Sequence, residues 1–460
     1  TYGDASNTTD ACSQPLGYVG NDEDCDDSDA TVYPGADEDG GTGTGAGDGI
    51  DNDCNGAVDD NLRFGTGADG AVEIADGTYA DIGGACVEAW SITGSDIVVS
   101  DASAFSPGDR AMVISLEGRP TETDDVGRWT LVDIGGVDTG TGTLTALATV
   151  NGTFAPDNTQ LRSHSVAVLR VPQVTDLTVT GTLDVDPFDG DCGGVFAVLA
   201  TGTVSISGTI DVSGVGFEGG GENRSSNSSG RAGESLAGRG DKGTAANGTG
   251  GGGGGGESSS CSDCTGSGGG GGHAEDGLPG ESSDDASGSG GEAGASVGGV
   301  TLAKLFFGGG GGSGAMDTSG EGGVGGAGGN GGGIIFLRAN TLDITGSVVA
   351  AGADGMPGCG MANDWCGTGA SSESGSGGGG AGGSIFLVAN TMTLGEGVVD
   401  ATGGAGAESS ALAGVFGGDG SFGRVRFDFG TLNGYAFGSE DANGAANAAS
   451  DPNPDYTAGL

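Results

Sequence analysis

Between residues 62 and 168, apolar and polar positions alternate in short runs: Val72-Glu73-Ile74, Asp96-Ile97-Val98-Val99, Ala111-Met112-Val113-Ile114 and Trp129-Thr130-Leu131-Val132. Gly, Asp and Pro separate the runs. A period of two punctuated by turn residues predicts antiparallel strands, here a β-sandwich-like domain or a barrel. No stretch combines a 3.6-residue period with helix caps, so the chain reads as all-β.

From about residue 169 the pattern becomes an internal repeat. Val195-Phe196-Ala197-Val198-Leu199-Ala200 leads to Thr203-Val204-Ser205-Ile206 and then Gly208-Thr209-Ile210-Asp211-Val212. Ile334 to Leu342 leads to Gly346-Ser347-Val348-Val349-Ala350, and Ser384 to Met392 leads to Gly397-Val398-Val399-Asp400-Ala401. Degenerate copies start at Val168 and Arg424. Units that recur at a fixed offset and cannot bury their apolar face alone predict a parallel β-solenoid over residues 169–435, each coil covering its neighbours. Residues 436–460 form a C-terminal tail.

Glycine tracts fall at one place in each coil, among them 250–256, 268–272, 308–312 and 377–380. A disordered glycine-serine linker is one reading. Ordered packing is the preferred one. An extended threefold glycine helix of the polyproline II type has no internal hydrogen bonds, so its N–H and C=O groups must bond neighbouring chains. Without Cβ atoms the backbones can approach closely enough to do so.

Composition then narrows the function. Glycine fills 109 of 460 positions, and 64 acidic against 14 basic residues leave a net charge of −50. Collagen is excluded, because glycine is not strictly every third residue and proline numbers only 11. The sign of the charge excludes a nucleic-acid partner. No apolar run reaches the ~18 residues of a membrane span. Nine cysteines in so acidic a chain point to an oxidising compartment, and Thr at position 1 suggests a cleaved leader. The expected location is extracellular or at the cell surface.

Cys261 and Cys264, and Cys359 and Cys366, sit in glycine-rich loops and read as loop-stapling disulfides rather than as redox or zinc sites. The candidate metal ligands lie in residues 1–61. Asp51-Asn52-Asp53-Cys54-Asn55-Gly56-Ala57-Val58-Asp59 follows the first part of a calcium loop. Oxygen ligands at its first, third and fifth positions converge because the glycine at the sixth permits a sharp turn. Leu62 stands where an EF-hand would have its bidentate Glu, so the loop is not a complete EF-hand. The run Asp22-Glu23-Asp24-Cys25-Asp26-Asp27-Ser28-Asp29 gathers carboxylates whose repulsion asks for a cation. The candidate ligands are Asp22, Asp24, Asp26, Asp27, Asp29, Asp48, Asp51, Asp53, Asn55 and Asp59. Hard oxygen donors select calcium.

These residues also carry a resemblance. The order Cys12 to Val19, Asp24 to Ala36 and Asp48 to Gly56 resembles the MopE-type metal-binding motif of secreted and surface proteins in myxobacteria and related bacteria. The family's name implies copper, but no His or Met lies in this module, which argues for calcium here. In the family a Cys usually stands just before the D-G-x-D-N-D-C run, and residues 38–47 contain none. The resemblance implies a Cys12–Cys25 pair inside the module and a partner outside it for Cys54, Cys86 or Cys192. Leu169-Arg170-Val171-Pro172 and the run Gly208 to Gly220 are similar to recurring phrases of glycine-rich bacterial surface proteins, which implies surface display.

Little in the sequence suggests catalysis. His164 and His273 are the two histidines; His164, in Ser-His-Ser, reads as a surface strand residue, and no triad is apparent. Lysine is confined to Lys242 and Lys304, without the clustered cations of polysaccharide-cleaving solenoids. Arg239-Gly240-Asp241 arises readily in this composition. Asn7, Asn151, Asn223, Asn227 and Asn247 lie in glycosylation sequons. The expected function is a non-enzymatic, secreted structural protein that self-associates into a homo-oligomer or filament, stabilised by calcium and disulfides. The alternative is a calcium-dependent adhesin for glycans or other surfaces.

Overall fold

The computed structural model describes residues 64–155, 158–159, 161, 164–224, 228–256, 265–282, 289–316, 323–360, 374–395, 398–409, 415–434 and 445–449, with Asp29, Thr31 and Val32 near the start of the chain. Two parallel sheets, a closed barrel and a body of hydrogen-bonded glycine segments make up its architecture.

The chain first contributes β1 (Gly70–Ile74) and β2 (Gly77–Thr78) to the two parallel sheets. It then leaves to build the barrel from β3 (Ala85–Thr93), β4 (Asp96–Val99), β5 (Arg110–Glu117), β6 (Trp129–Asp138), β7 (Thr143–Ala146) and β8 (Ser165–Val171). These six strands close antiparallel in the order β3-β4-β7-β6-β5-β8. Of the two expected forms, a sandwich-like domain or a barrel, these strands build the barrel. Ser165–Val171 closes the barrel, while Gly70–Ile74 and Gly77–Thr78 lie in the parallel sheets.

After the barrel the chain returns to the sheets with β9 (Gln173–Val179), β10 (Thr182–Asp184), β11 (Val195–Ile206) and β12 (Thr209–Asp211). A small β13 (Gly323–Val324) precedes β14 (Ile334–Ile344) and β15 (Ser347–Val349); β16 (Cys359–Gly360) pairs with β13. Next come β17 (Ser384–Leu394), β18 (Val399–Asp400), β19 (Arg424–Gly434) and β20 (Ala445–Ala449). The long strands form a seven-stranded sheet ordered β1-β9-β11-β14-β17-β19-β20, and the short ones a five-stranded sheet ordered β18-β15-β12-β10-β2. β14 and β17 pair from Ile334 with Ser384 to Ile344 with Leu394, so the 50-residue offset of the repeat is the register itself. The two apolar runs from Val195 to Ile206 form one strand, with a register shift between Ala200 and Thr203.

Burial on both faces explains why Ala111 to Ile114 and Val166 to Leu169 are apolar throughout, where simple alternation was expected. In β5, Ala111 and Val113 face the barrel interior with Ile97, Ile134 and Leu144. Met112, Ile114 and Leu116 face the other way, into the core of the long sheet. In β8, Val166 and Val168 likewise serve the barrel while Ala167, Leu169 and Val171 serve the sheet. Trp129 joins the two, its ring 5.0 Å from Phe336 and 6.5 Å from Phe386. Arg338 lies over Phe336 at 4.8 Å, covering that aromatic column with a cation. Among the described residues, no helix is long and apolar enough to cross a membrane.

The glycine segments bond one another with a period of three. In segment 308–316, Gly308, Gly311 and Gly314 donate to the carbonyls of Gly332, Gly329 and Gly326, each at 2.9 Å. Gly309, Gly312 and Ala315 donate to Gly272, Gly269 and Gly266. Gly310, Ser313 and Met316 donate to Glu234, Arg231 and Ser228. The carbonyls of the same segment accept from Gly252 and Gly255, from Ala381, Gly378 and Gly375, and from Gly220. One segment thus bonds six others. Segments 266–272 and 375–382 are surrounded in the same manner. There is no room for a side chain: a Cβ on Gly311 would overlap the Gly378 carbonyl oxygen, and one on Gly312 that of Gly253. Gly311→Ala is expected to lower stability by about 1–3 kcal/mol, whereas Gly221→Ala, with open space at its Cβ position, should change it little. Urea unfolding of the two variants beside the wild type checks the contrast.

Candidate functional site

Of the ten candidate metal ligands, Asp29 is the one within the described residues; Asp22, Asp24, Asp26, Asp27, Asp48, Asp51, Asp53, Asn55 and Asp59 lie outside them. Asp29 closes a local turn. Its Oδ1 accepts from the Thr31 hydroxyl at 2.7 Å and the Thr31 N–H at 2.9 Å. The hydroxyl, then the amide, hold this carboxyl below the ordinary aspartate range. Val32 N–H bonds the Asp29 carbonyl at 3.2 Å, and the Val32 side chain is buried. Asp29 therefore keeps its negative charge. Among the described residues, no group of three or more His, Cys, Asp or Glu is placed to hold a metal ion.

Cys86 of β3 and Cys192 before β11 are joined, with Cα atoms 5.8 Å apart. Neither is therefore the partner expected for Cys54. The bond staples the barrel to the long sheet beside a cavity of about 190 Å³ lined by Tyr79, Cys86, Leu169, Asp186, Pro187 and Cys192. Of the nearby polar groups, the Asp189 carboxylate accepts from the Asp191 and Cys192 amides, at 3.0 and 2.9 Å, and the Tyr79 hydroxyl bonds the Arg170 and Ala197 carbonyls, at 2.9 and 3.0 Å. These groups serve the protein backbone rather than an occupant of the cavity.

The other features singled out in the sequence prove structural. His164 is buried, not a surface residue, and its Nε2 lies 3.1 Å from Glu122. His273 is fully buried where the glycine segments meet the long sheet. Its Nδ1 lies 2.6 Å from the Gly382 carbonyl, which assigns the ring proton to that nitrogen. Ser384 Oγ is 3.5 Å from Nε2, yet it donates to the Phe306 carbonyl at 2.7 Å and is itself fully buried. With the hydroxyl proton committed and no access to solvent, this pair is a packing element rather than a nucleophile and its base. Arg424 satisfies the nearby carbonyls of Val297 and Ala274 at 2.9 and 3.2 Å.

Arg239 of the Arg-Gly-Asp string is turned to Glu218, at 2.9 Å, and Glu234, at 3.7 Å. Asn223 is buried, and its Nδ2 donates to the Ser228 carbonyl at 2.6 Å. The Asn247 Nδ2 donates to the carbonyls of Gly233 and Gly238, at 3.0 and 2.6 Å. Neither amide is presented as a glycan acceptor, whereas Asn151 is exposed. Sequence reasoning missed one cluster, in which Arg239, Glu218 and the buried Glu234 meet in the glycine region.

Residues 24–60 match the family model Cu-binding MopE, described as a putative metal-binding motif. No curated protein and no solved structure matches the chain. The matched stretch contains nine of the ten candidate ligands, all but Asp22.

Burial holds the His273 imidazole neutral and brings its pKa down to about 4. A depressed histidine pKa stabilises the fold above the ordinary value near 6.5, and that stabilisation is lost as pH falls towards about 4. His273→Asn is expected to show a shallower loss of stability than the wild type across that interval, read from thermal midpoints at successive pH values.

Proposed function

We propose that the chain is a secreted structural protein of a bacterial surface, the repeating subunit of an extracellular fibre stabilised by calcium and disulfides. The observation that carries this reading is the parallel stack. Its long strands β14, β17 and β19 pair in unbroken register, and among the described residues β1 and β20 end the seven-stranded sheet without a further strand beyond them. We read the stack as a β-solenoid with a polyglycine II-like body beside it. A stack of this kind offers unpaired N–H and C=O groups at each end, and joining end to end satisfies them while generating a filament.

Calcium is the metal that the donor set favours. Asp51, Asp53 and Asn55 would supply side-chain oxygens, Ala57 a carbonyl and Asp59 a carboxylate or a bound water, with Gly56 at the sharp turn. The matched family is named for copper, but the stretch has neither His nor Met, and its two soft donors, Cys25 and Cys54, are expected in disulfides. A cation here would neutralise part of a net charge of −50 and so ease the close approach of subunits.

Negative-stain imaging of the purified full chain tests the fibre. Filaments are expected with calcium and shorter or dispersed particles after chelation; monomers at high protein and calcium concentration would overturn the reading. Dispersed particles that hold immobilised glycans in calcium would favour the adhesin alternative. For the metal, titration calorimetry should show calcium binding that falls about tenfold or more in the paired variant Asp51→Asn, Asp53→Asn, and saturating calcium should raise the unfolding free energy by about 2–3 kcal/mol. Tighter binding of copper than of calcium, unaffected by those substitutions, would reverse the metal assignment.

A further inference from the structure

The two ends of the long sheet are stepped rather than square. At one end β20 pairs with β19 from Arg424 to Asp428 and goes no further, so among the described residues no strand lies beyond residues 430–434. At the other end β1 covers the C-terminal part of β9, with Val72 against Leu177 and Ile74 against Val179.

Register carries both ends into the same columns of side chains. One column runs Val72, Leu177, Val204, Leu342, Met392, Leu432, and the next core-facing one runs Ile74, Val179, Ile206, Ile344, Leu394, Gly434. Inside the first column Leu177, Val204, Leu342 and Met392 are each 0% exposed. Its terminal members, Val72 and Leu432, are only partly buried, although both pack on the main core, and Ile74 is in the same position. The core is thus open at both ends, and the half-strand that one end lacks is the one the other end presents. The sequence after β20 holds Pro452 and Pro454, which lack the N–H that pairing needs; β1 carries Val72 and Ile74 at the spacing the columns require.

We propose that β1 of a second copy docks in parallel on residues 430–434 of β19, with Val72 beside Leu432 and Ile74 beside Gly434, and so continues the core from one subunit into the next. The proposal rests on the fibre reading and names its joint. A further parallel ladder satisfies the outward N–H and C=O groups of both strands. On the polar face Glu73 falls beside Asn433, so this register sets no like charges against each other in that column despite the acidity of the chain. The two surfaces differ, so the contact is heterologous and repeats from copy to copy.

A cysteine pair tests the joint. Adjacent strands stand about 4.8 Å apart, within the Cα span of a disulfide. Within one chain Glu73 and Asn433 are five strand spacings apart, about 24 Å, and cannot be bridged to each other. The full chain carrying Glu73→Cys and Asn433→Cys is expected to give, on oxidation, a covalent ladder of dimers, trimers and longer species on a non-reducing gel, beyond anything in the wild type or the single variants. Leu432→Asp places a charge at the joint and leaves the fully buried columns intact. It should shorten or abolish filaments in negative stain while the thermal midpoint stays near that of the wild type. Filaments without the ladder, unaffected by Leu432→Asp, would overturn this joint and leave the fibre standing. A ladder confined to short oligomers would uphold the joint against the fibre, and the absence of both would overturn the two together. Strong hydrogen-exchange protection of residues 430–434 in the dilute monomer would put a segment of the same chain there and also overturn the proposal.

Discussion

The backbone amides of the glycine segments have no partner within their own segment, and the rest of the molecule is arranged around that fact. Fixing a residue's backbone costs about 1–2 kcal/mol, and a hydrogen bond returns about 1 kcal/mol net. A single segment cannot hold itself. Segment 308–316 is held because its amides point in three directions in turn, each to a different neighbour, while its carbonyls receive bonds from three more. Close packing of backbones adds the remainder, and it is available only where Cβ atoms are absent. The bonded partners run from Gly220 to Ala381, so the body is a cooperative unit drawn from several successive turns of the chain.

The barrel belongs to the same construction. It is inserted after β2 and before β9, so the first layer of the parallel sheets is laid down before the barrel and the second after it. Its strands β5 and β8 are shared walls, with one face in the barrel and the other in the core of the long sheet. Trp129 and the Cys86–Cys192 bond fix that contact from two sides.

Much of this was legible in the residues. Ile334 to Leu342 and Ser384 to Met392 are nearly the same phrase, and parallel pairing in register places like on like, so the offset of the repeat became the register of the sheet. The need of the glycine tracts for lateral bonds followed from the absence of any other partner. What could not be read depends on distance along the chain. Gly77-Thr78 is too short to announce a strand, so the insertion of the barrel was hidden. Cys86 and Cys192 each had several arithmetic partners. Glu218, Glu234 and Arg239 acquire meaning only where the fold brings them together. The metal module was the reverse case: its spacing of Asp, Asn and Gly is local, and the family match covers that stretch alone.

The sixfold enclosure of the central glycine segments bears on durability. A protease must draw a length of chain into its cleft, and chain becomes available only through local opening. A segment bonded on all sides cannot peel away singly; releasing it breaks contacts with every neighbour at once. Sequences that would be the easiest to digest as free linkers are here among the hardest to reach.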